Sequence, residues 1–236
     1  MTMVDTGPPE RVDLDQPPGP TRRPWRRRRT DLGDHVARTV GGLQARALRT
    51  VPVPEAVSAL ARLRRGIGRT PGFDFTLESY LQVPPDLLGR LPDDDTEAAD
   101  TEYATHDAVT LYALHQQSRR ERMHMDGRGL GLALAELVRR TAGPDGVRRR
   151  FAALGTASSY PESVHHLRSL ITMLREHQIP LDYGLLADDL WTLRRPPRPG
   201  QPDGRSKVQG IWGREFFRSR PGPAAADTDL PEEDPS

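Results

Sequence analysis

Residues 161–180 read PESVHHLRSLITMLREHQIP, and this stretch decides the fold class. Pro161 suits the first turn of a helix, and Pro180 ends the pattern because proline cannot continue one. Between them, apolar side chains recur every three or four residues, as on one face of a helix. These side chains are Val164, Leu167, Ile171 and Leu174. The stretch therefore predicts an amphipathic helix.

Comparable stripes lie on both sides of this helix. Asp31 is placed to cap the first of them, and Pro54 and Pro144 to begin two others. The stripes are Leu32, Val36, Val40, Leu43 and Ala47; Val57, Leu60 and Leu63; Ala104, Ala108, Leu111 and His115; Leu130, Leu134, Leu137 and Thr141; Val147, Phe151 and Leu154; Tyr183, Leu186, Leu190 and Leu193; and Val208, Ile211, Trp212 and Phe216. No run alternates with period two over a useful length, so we expect an all-α protein.

The chain divides into four parts by composition. Residues 1–30 are rich in proline, glycine and charge, and predict a disordered arm; the acidic residues 221–236 predict a disordered tail. Two small helical bundles are expected between them, at 31–122 and 123–220, joined by a basic loop near 119–129. A proline- and glycine-rich linker at 195–204 precedes the last helix.

The total composition excludes several classes of function. The chain has no cysteine, which rules out disulfides and thiolate chemistry. The longest apolar run, LGLALA at 130–135, is far shorter than a membrane helix, so we expect a cytoplasmic protein without a membrane partner. The net charge is only +1, but the positive charge is concentrated: nine arginines face four acids between residues 108 and 150. Such clustering is typical of nucleic-acid binders and also of solvated surfaces.

The stretch LYALHQQSRRERMHMDGRGLG, at 111–131, resembles an active site. His115 lies on an apolar stripe, which favours a packed histidine over a catalytic one. His124 is expected in a loop, where its ring could hydrogen-bond across the junction or touch a partner. GRGLG at 127–131 lacks the spacing of a dinucleotide fingerprint and follows no strand. It predicts a loop that closes onto a helix N-terminus, with a modest phosphate site as the alternative.

Metal binding and catalysis find little support. No two of the seven histidines are three or four residues apart, as a helical metal pair requires. His106-Asp107 resembles the doublet of metal-dependent phosphohydrolases, but the further ligands of that class cannot be placed. Asp188 and Asp189 are helix neighbours and do not face each other. We therefore predict no catalytic residues, no metal and no cofactor.

Arginines form four clusters: Arg62, Arg64 and Arg65; Arg119, Arg120 and Arg122; Arg148, Arg149 and Arg150; and Arg168 with Arg175. Each cluster alone fits a solvated surface. Together they suggest a groove that follows a phosphate backbone through charge rather than through base contacts. The spacing of Trp212, Phe216 and Phe217 favours a place in the core over base stacking.

Five blocks of sequence, in a distinctive order, resemble one known family. They are ARLRRG with TPG (61–72), LYALHQQS with MH and GLGLAL (111–134), VRRRFAAL (147–154), HLRSLITMLREHQIPLDYGLLADDL (166–190) and WGREFF (212–217). The chain is similar in these blocks to the CasB family, the small subunit of the type I-E CRISPR Cascade surveillance complex. The resemblance spans roughly residues 55–218 and leaves out the arm, the linker and the tail.

The resemblance implies an all-helical, two-domain, non-catalytic subunit. It also implies the partners: guide RNA, target and displaced DNA strands, other Cascade subunits and a second copy of the chain. Such a subunit holds the RNA–DNA hybrid and the displaced strand by backbone shape and charge. The residues predicted to bind nucleic acid are Arg62, Arg64, Arg65, Arg119, Arg122, Arg149, Arg150, Arg168 and Lys207. The alternatives are a pure protein scaffold and, more remotely, a helical metal-dependent phosphohydrolase around His106-Asp107.

Overall fold

The computed structural model describes residues 27–88, 96–195, 200 and 203–218. The predictions for residues 1–26, for the tail at 221–236 and for most of the 195–204 linker fall on residues outside this set. The described part contains nine α-helices: α1 (Asp31–Ala47), α2 (Pro54–Leu63), α3 (Glu78–Leu81), α4 (Thr96–His115), α5 (Leu130–Arg140), α6 (Pro144–Thr156), α7 (Tyr160–Glu176), α8 (Tyr183–Arg194) and α9 (Gly204–Arg218).

The all-α prediction is confirmed. Within the described ranges there is no β-strand, and the one β-bridge joins His124 to Leu181. The stripe predicted for the long helix α4 is buried, with Ala104, Ala108, Leu111 and His115 all fully inaccessible to solvent. No helix in the described part is long and apolar enough to cross a membrane.

Two helices begin one residue away from their predicted starts. Thr30, not Asp31, is the N-cap of α1, because its hydroxyl accepts a hydrogen bond from the backbone N–H of Gly33. Asp31 lies in the first turn instead, where its charge suits the helix dipole. Helix α7 begins at Tyr160, directly before Pro161, and is capped by the Ser159 side chain.

Helix α8 is the centre of the fold. Residues 183–190 are all buried, and the helix packs against α1 and α4 on one side and α9 on another. Glycine allows the close approach of α1 and α8: a Cβ atom on Gly33 would lie 2.8 Å from the carbonyl oxygen of Gly184. The other main contacts join α5 to α9 and α6 to α7.

The buried apolar residues form one continuous cluster. It includes side chains from both predicted bundles, and α8, assigned to the second bundle, contacts α1 and α4 of the first. The division at residues 122 and 123 therefore stays a prediction.

The last helix departs from expectation at one aromatic residue. Trp212 and Phe216 are buried as predicted, but Phe217 is 61% exposed. Residues 212 and 216 are four apart and share a face, whereas 217 is rotated about 100° away from 216. The prediction that Phe217 lies in the core is wrong for this reason.

Four residues assigned to the disordered arm belong to the folded body. Residues 27–30 precede α1 directly, and the Arg27 side chain is only 10% exposed. Arg27 and Thr30 contact acidic side chains of α8, so the predicted boundary at residue 30 is wrong for these four residues.

Candidate nucleic-acid interface

The first basic cluster surrounds the end of α2. Arg64 and Arg65 lie in a 3-10 turn after the helix, with Arg65 exposed and Arg64 half-buried. The Arg62 guanidinium contacts both carboxylate oxygens of Asp74, with an Nη2–Oδ2 distance of 2.6 Å. Hydrogen bonds from Thr76, together with Arg62, lower the pKa of Asp74. Arg62 therefore has an acidic partner inside the fold, and Arg65 projects into solvent.

The second cluster lies on α6. Arg148, Arg149 and Arg150 are all exposed, because their helix buries Val147 and Leu154 instead. Arg148 contacts Asp145 at 2.9 Å, and Arg150 donates to the carbonyl oxygen of Gly146 in the same helix. Three consecutive residues fan around a helix by about 100° each, so the cluster covers a broad arc of surface.

The neighbouring helix α7 contributes Arg168. Its side chain is exposed, and α7 packs directly against α6. Arg175, seven residues further on, is half-buried and donates to the Gln117 side chain at 2.9 Å. The structure thus brings the helices of Arg149, Arg150 and Arg168 together, while Arg175 is engaged in an internal contact.

The remaining predicted residues are dispersed. Arg122 is exposed beside a cleft of about 1030 Å³ that is also lined by α1. Arg119 is half-buried, and its Nε is buried without a hydrogen-bond partner among the described residues. Lys207 is exposed on α9. These three lie on different elements from the α6 cluster.

The two histidines of the 111–131 stretch are buried, and each contacts Tyr183. His115 Nδ1 lies 2.9 Å from the Tyr183 hydroxyl, and burial lowers the pKa of His115 to about 3. The backbone N–H of Tyr183 donates to His124 Nδ1 at 3.2 Å, so the proton of a neutral His124 ring is on Nε2. The inward position of His115 is confirmed, and His124 makes the hydrogen bond across the junction that was one of its two predicted roles.

The glycine-rich loop closes on an internal anion. The backbone N–H of Gly131, at the start of α5, donates to the Glu215 carboxylate of α9 at 3.1 Å. A Cβ atom on Gly129 would overlap that carboxylate. Glu215 therefore holds the position that a phosphate would take at this helix N-terminus. The phosphate-site alternative is wrong, and the loop-closing interpretation fits.

Asp182 lies where the loop at 119–129 meets the start of α8. One of its oxygens accepts hydrogen bonds from the backbone of Gly184 and Leu185, and the other from Gly127. Asp182, His124 and Asp126 have ligand atoms close enough to hold a metal ion. Arg29 already supplies a cation there, since its guanidinium contacts Asp126 at 2.5 Å and Asp182 at 3.4 Å.

The His106-Asp107 doublet is a packing pair in this fold. His106 Nδ1 lies 3.1 Å from Asp107, the Tyr160 hydroxyl donates to Asp107 at 2.7 Å, and Phe73 packs edge-on against the imidazole. Both members are buried. Among the described residues, the metal-compatible group at the junction does not include either of them.

Asp188 and Asp189 of α8 point to different partners. Asp188 accepts from the backbone N–H and hydroxyl of Thr30, and Asp189 accepts from Arg27 and from the Trp212 indole at 2.7 Å. Burial raises the pKa of both carboxyls, and the cation and donors act against this rise. Composition alone missed the role of Arg27. The available signal was an acidic pair inside the apolar stripe of α8, which requires a buried donor or cation.

Comparison with known proteins identifies the family of the chain. The family model described as CRISPR-associated protein Cse2 matches residues 59–217. The chain belongs to the Cse2 family. The match begins within α2, so α1 and residues 27–30 precede the part of this Cse2 protein that the family model covers.

Solved structures agree with the Cse2 assignment. CasB from Thermobifida fusca is 36% identical, with a TM-score of 0.66 over 80% of this chain and 99% of its own. A CRISPR-associated protein of the Cse2 family from Thermus thermophilus is 25% identical, with a TM-score of 0.53 over 79% of this chain and 97% of its own. A structure of CasB from Thermus thermophilus gives 25% identity and a TM-score of 0.52 over the same shares. No curated protein sequence matches the chain.

Proposed function

We propose that this Cse2-family protein is a non-catalytic small subunit of the type I-E CRISPR Cascade complex that binds nucleic-acid backbones through charge. It stabilises the guide RNA–target DNA hybrid and the displaced DNA strand. Its other partners are the remaining Cascade subunits and a second copy of itself. The observation that carries the proposal is the exposed run Arg148, Arg149 and Arg150 on α6, beside the helix that bears Arg168.

Charge on a rigid helix suits this role for a physical reason. In RNA-guided recognition, base pairing reads the sequence, and the protein needs only to follow backbone shape and charge. Each arginine that neutralises a phosphate releases a condensed counterion, so affinity falls steeply as salt rises. Arg149, Arg150 and Arg168 supply such contacts, and Arg64 and Arg65 add further positive charge on a different element, at the end of α2.

The non-catalytic part of the proposal rests on how the candidate chemical groups are used. His115, His124 and Asp107 each hydrogen-bond to a tyrosine residue, and His106 packs beside Phe73. Burial also holds His115 neutral near pH 7, since its pKa is about 3. His115, His106 and Asp107 therefore support the helical packing, and His124 combines such a contact with a place in the wall of the cleft beside α1.

Reversing the charge of the α6 arginines tests the proposal. The double variant Arg149→Glu/Arg150→Glu is expected to bind a single-stranded oligonucleotide more weakly than the wild type. Its log affinity should also fall less steeply with log salt, by about 0.7 for each phosphate that the variant no longer neutralises. The matched control is Arg38→Glu/Arg49→Glu, which makes the same change in net charge at two exposed positions in and after α1.

Three results are informative. An equal loss of affinity in both double variants shows that total charge, not the α6 surface, drives binding. A wild-type protein that binds no oligonucleotide in moderate salt favours the pure scaffold. Metal bound to the purified protein, with nucleotide hydrolysis abolished in His106→Ala, favours the phosphohydrolase.

A further inference from the structure

A narrow apolar groove runs between α6 and α9, next to the α6 arginines. Its volume is about 380 Å³, which lies within the range of small-molecule pockets. Four aromatic side chains line it: Phe151 from α6, and Trp212, Phe216 and Phe217 from α9. Arg148 lies at its edge.

The aromatic wall is held in place by contacts within the fold. The rings of Phe151 and Phe216 are 5.0 Å apart, and the rings of Phe216 and Phe217 meet edge to face at 5.3 Å. The Trp212 indole is anchored by its hydrogen bond to Asp189. Phe217 is the member that faces solvent, being 61% exposed. The groove therefore presents a preformed aromatic surface.

Two glycines keep the groove open. Gly155 of α6 and Gly213 of α9 both line it, and a Cβ atom built on either one would meet nothing within 4 Å. Neither adopts a positive φ, so the backbone does not require glycine at these positions. Glycine within a helix costs about 1 kcal/mol relative to alanine. The absence of side chains at Gly155 and Gly213 leaves space between α6 and α9, and neither close packing nor the backbone conformation requires it.

The edge of the groove carries positive charge. Arg148 pairs with Asp145 only at the surface, where the two side chains are 44% and 80% exposed, and such pairs contribute little. Arg149 and Arg150 follow on the same helix. An aromatic surface beside arginines is how proteins hold unpaired bases: the ring stacks on the base and the cation attracts its phosphate.

We propose that the α6–α9 groove is a stacking site for an unpaired base of single-stranded nucleic acid, with Phe217 as the platform and Arg148 on the neighbouring phosphate. This inference rests on the proposed function and adds to it a preference for single strands over duplex. Stacking is tolerant of base identity because every base has a π-face. A base within a duplex is already stacked and paired, so a duplex gains only the charge interaction.

The test uses the full chain with a single-stranded oligonucleotide that contains 2-aminopurine, and with a duplex of the same length. Phe217→Ala is expected to weaken single-strand binding by about fivefold or more, the lower end for loss of one base–aromatic stack. Gly213→Leu should have the same effect, since its side chain fills the groove instead of removing the platform. Duplex affinity should be unchanged in both variants. Phe75→Ala, which removes a phenylalanine that is 82% exposed outside the groove, should change neither affinity.

The 2-aminopurine signal reports stacking directly. It should be quenched on binding wild-type protein and recover in the Phe217→Ala complex at saturation. Single-strand affinity and quenching that match the wild type in both variants overturn the inference, and then favour a protein side chain as occupant of the groove. An equal loss of affinity for duplex and single strand also overturns it. A wild-type protein that binds neither nucleic acid overturns the proposed function itself, so the two failures are distinguishable.

Discussion

Arg27 donates two hydrogen bonds, of 3.1 and 2.5 Å, to the carboxylate of Asp189, which lies 162 residues further along the chain. The same guanidinium reaches Glu215 at 3.5 Å, so one cation serves buried acids of both α8 and α9. The Asp189 side chain is 3% exposed and the Glu215 side chain 5%. Residue 27 thus joins the segment before α1 to α8 and to α9.

Replacing Arg27 by alanine should strongly destabilise the protein. Removing one partner of a buried ion pair leaves the other charge uncompensated and typically costs about 3–5 kcal/mol. Urea unfolding at pH 7 measures the loss of stability. The adjacent Arg28→Ala is the control, since Arg28 is exposed and such changes stay within about 0.5 kcal/mol. Equal stability of the two variants would show that the Arg27 contacts contribute nothing.

Because of His115, the free energy of unfolding should decrease as the pH is lowered from 7 to 5. Burial lowers its pKa from 6.5 to about 3, so in this range the unfolded chain binds a proton that the folded chain does not. The free energy of unfolding should therefore drop by about 2 kcal/mol from pH 7 to pH 5 through this group alone. His115→Gln keeps a hydrogen-bonding side chain without a titration, and its pH dependence should be weaker by this amount. Parallel pH profiles for the two proteins would contradict the assignment.

The contact between α1 and α8 should tolerate no side chain at Gly184. A Cβ atom there would overlap the carbonyl oxygen of Gly33, so the helices would have to separate. We expect Gly184→Ala to cost about 1–3 kcal/mol, as other overpacked cores do. Gly41→Ala in α1 is the matched control, since its Cβ would meet nothing within 4 Å. That control should be neutral or stabilise the helix, and thermal unfolding distinguishes the two.

Arg62 and Arg65 should differ in nucleic-acid binding although they are three residues apart. Arg62 is engaged by Asp74, whereas Arg65 is exposed. Arg65→Ala is expected to reduce the salt slope of single-stranded oligonucleotide binding by about 0.7, the effect of losing one phosphate contact. Arg62→Ala should reduce it less. A larger effect at Arg62 would mean that it exchanges Asp74 for phosphate on binding.

The helices were predictable because their apolar stripes are local features of the sequence. The stripe from Ala104 to His115 and the inward position of His115 both follow from helical spacing. Arg27 was not predictable in this way, since it lies in a proline- and arginine-rich segment and its partner Asp189 is distant in sequence. Composition describes the average behaviour of such a segment and not the one residue that reaches a buried acid.

The basic surface was predictable in its charge but not in its shape. Spacing indicates that Arg149 and Arg150 are on a helix surface, yet it does not show that Arg62 meets Asp74, because that contact depends on the loop between them. Phe217 carried a usable signal: it is adjacent to Phe216, and neighbours on a helix do not share a face. The groove itself depends on how α6 packs beside α9, which no local pattern specifies.

The Glu215 carboxylate occupies the position at the start of α5 where an external anion would bind. The carboxylate accepts a hydrogen bond from the Gly131 N–H, which could otherwise donate to a phosphate. The fold holds this carboxylate in place at an effective concentration far above that of any free anion. The Gly131 N–H at the start of α5 is therefore not available to a nucleic-acid phosphate. Under the proposed function, phosphates are bound by side chains, and this attraction weakens as the salt concentration rises.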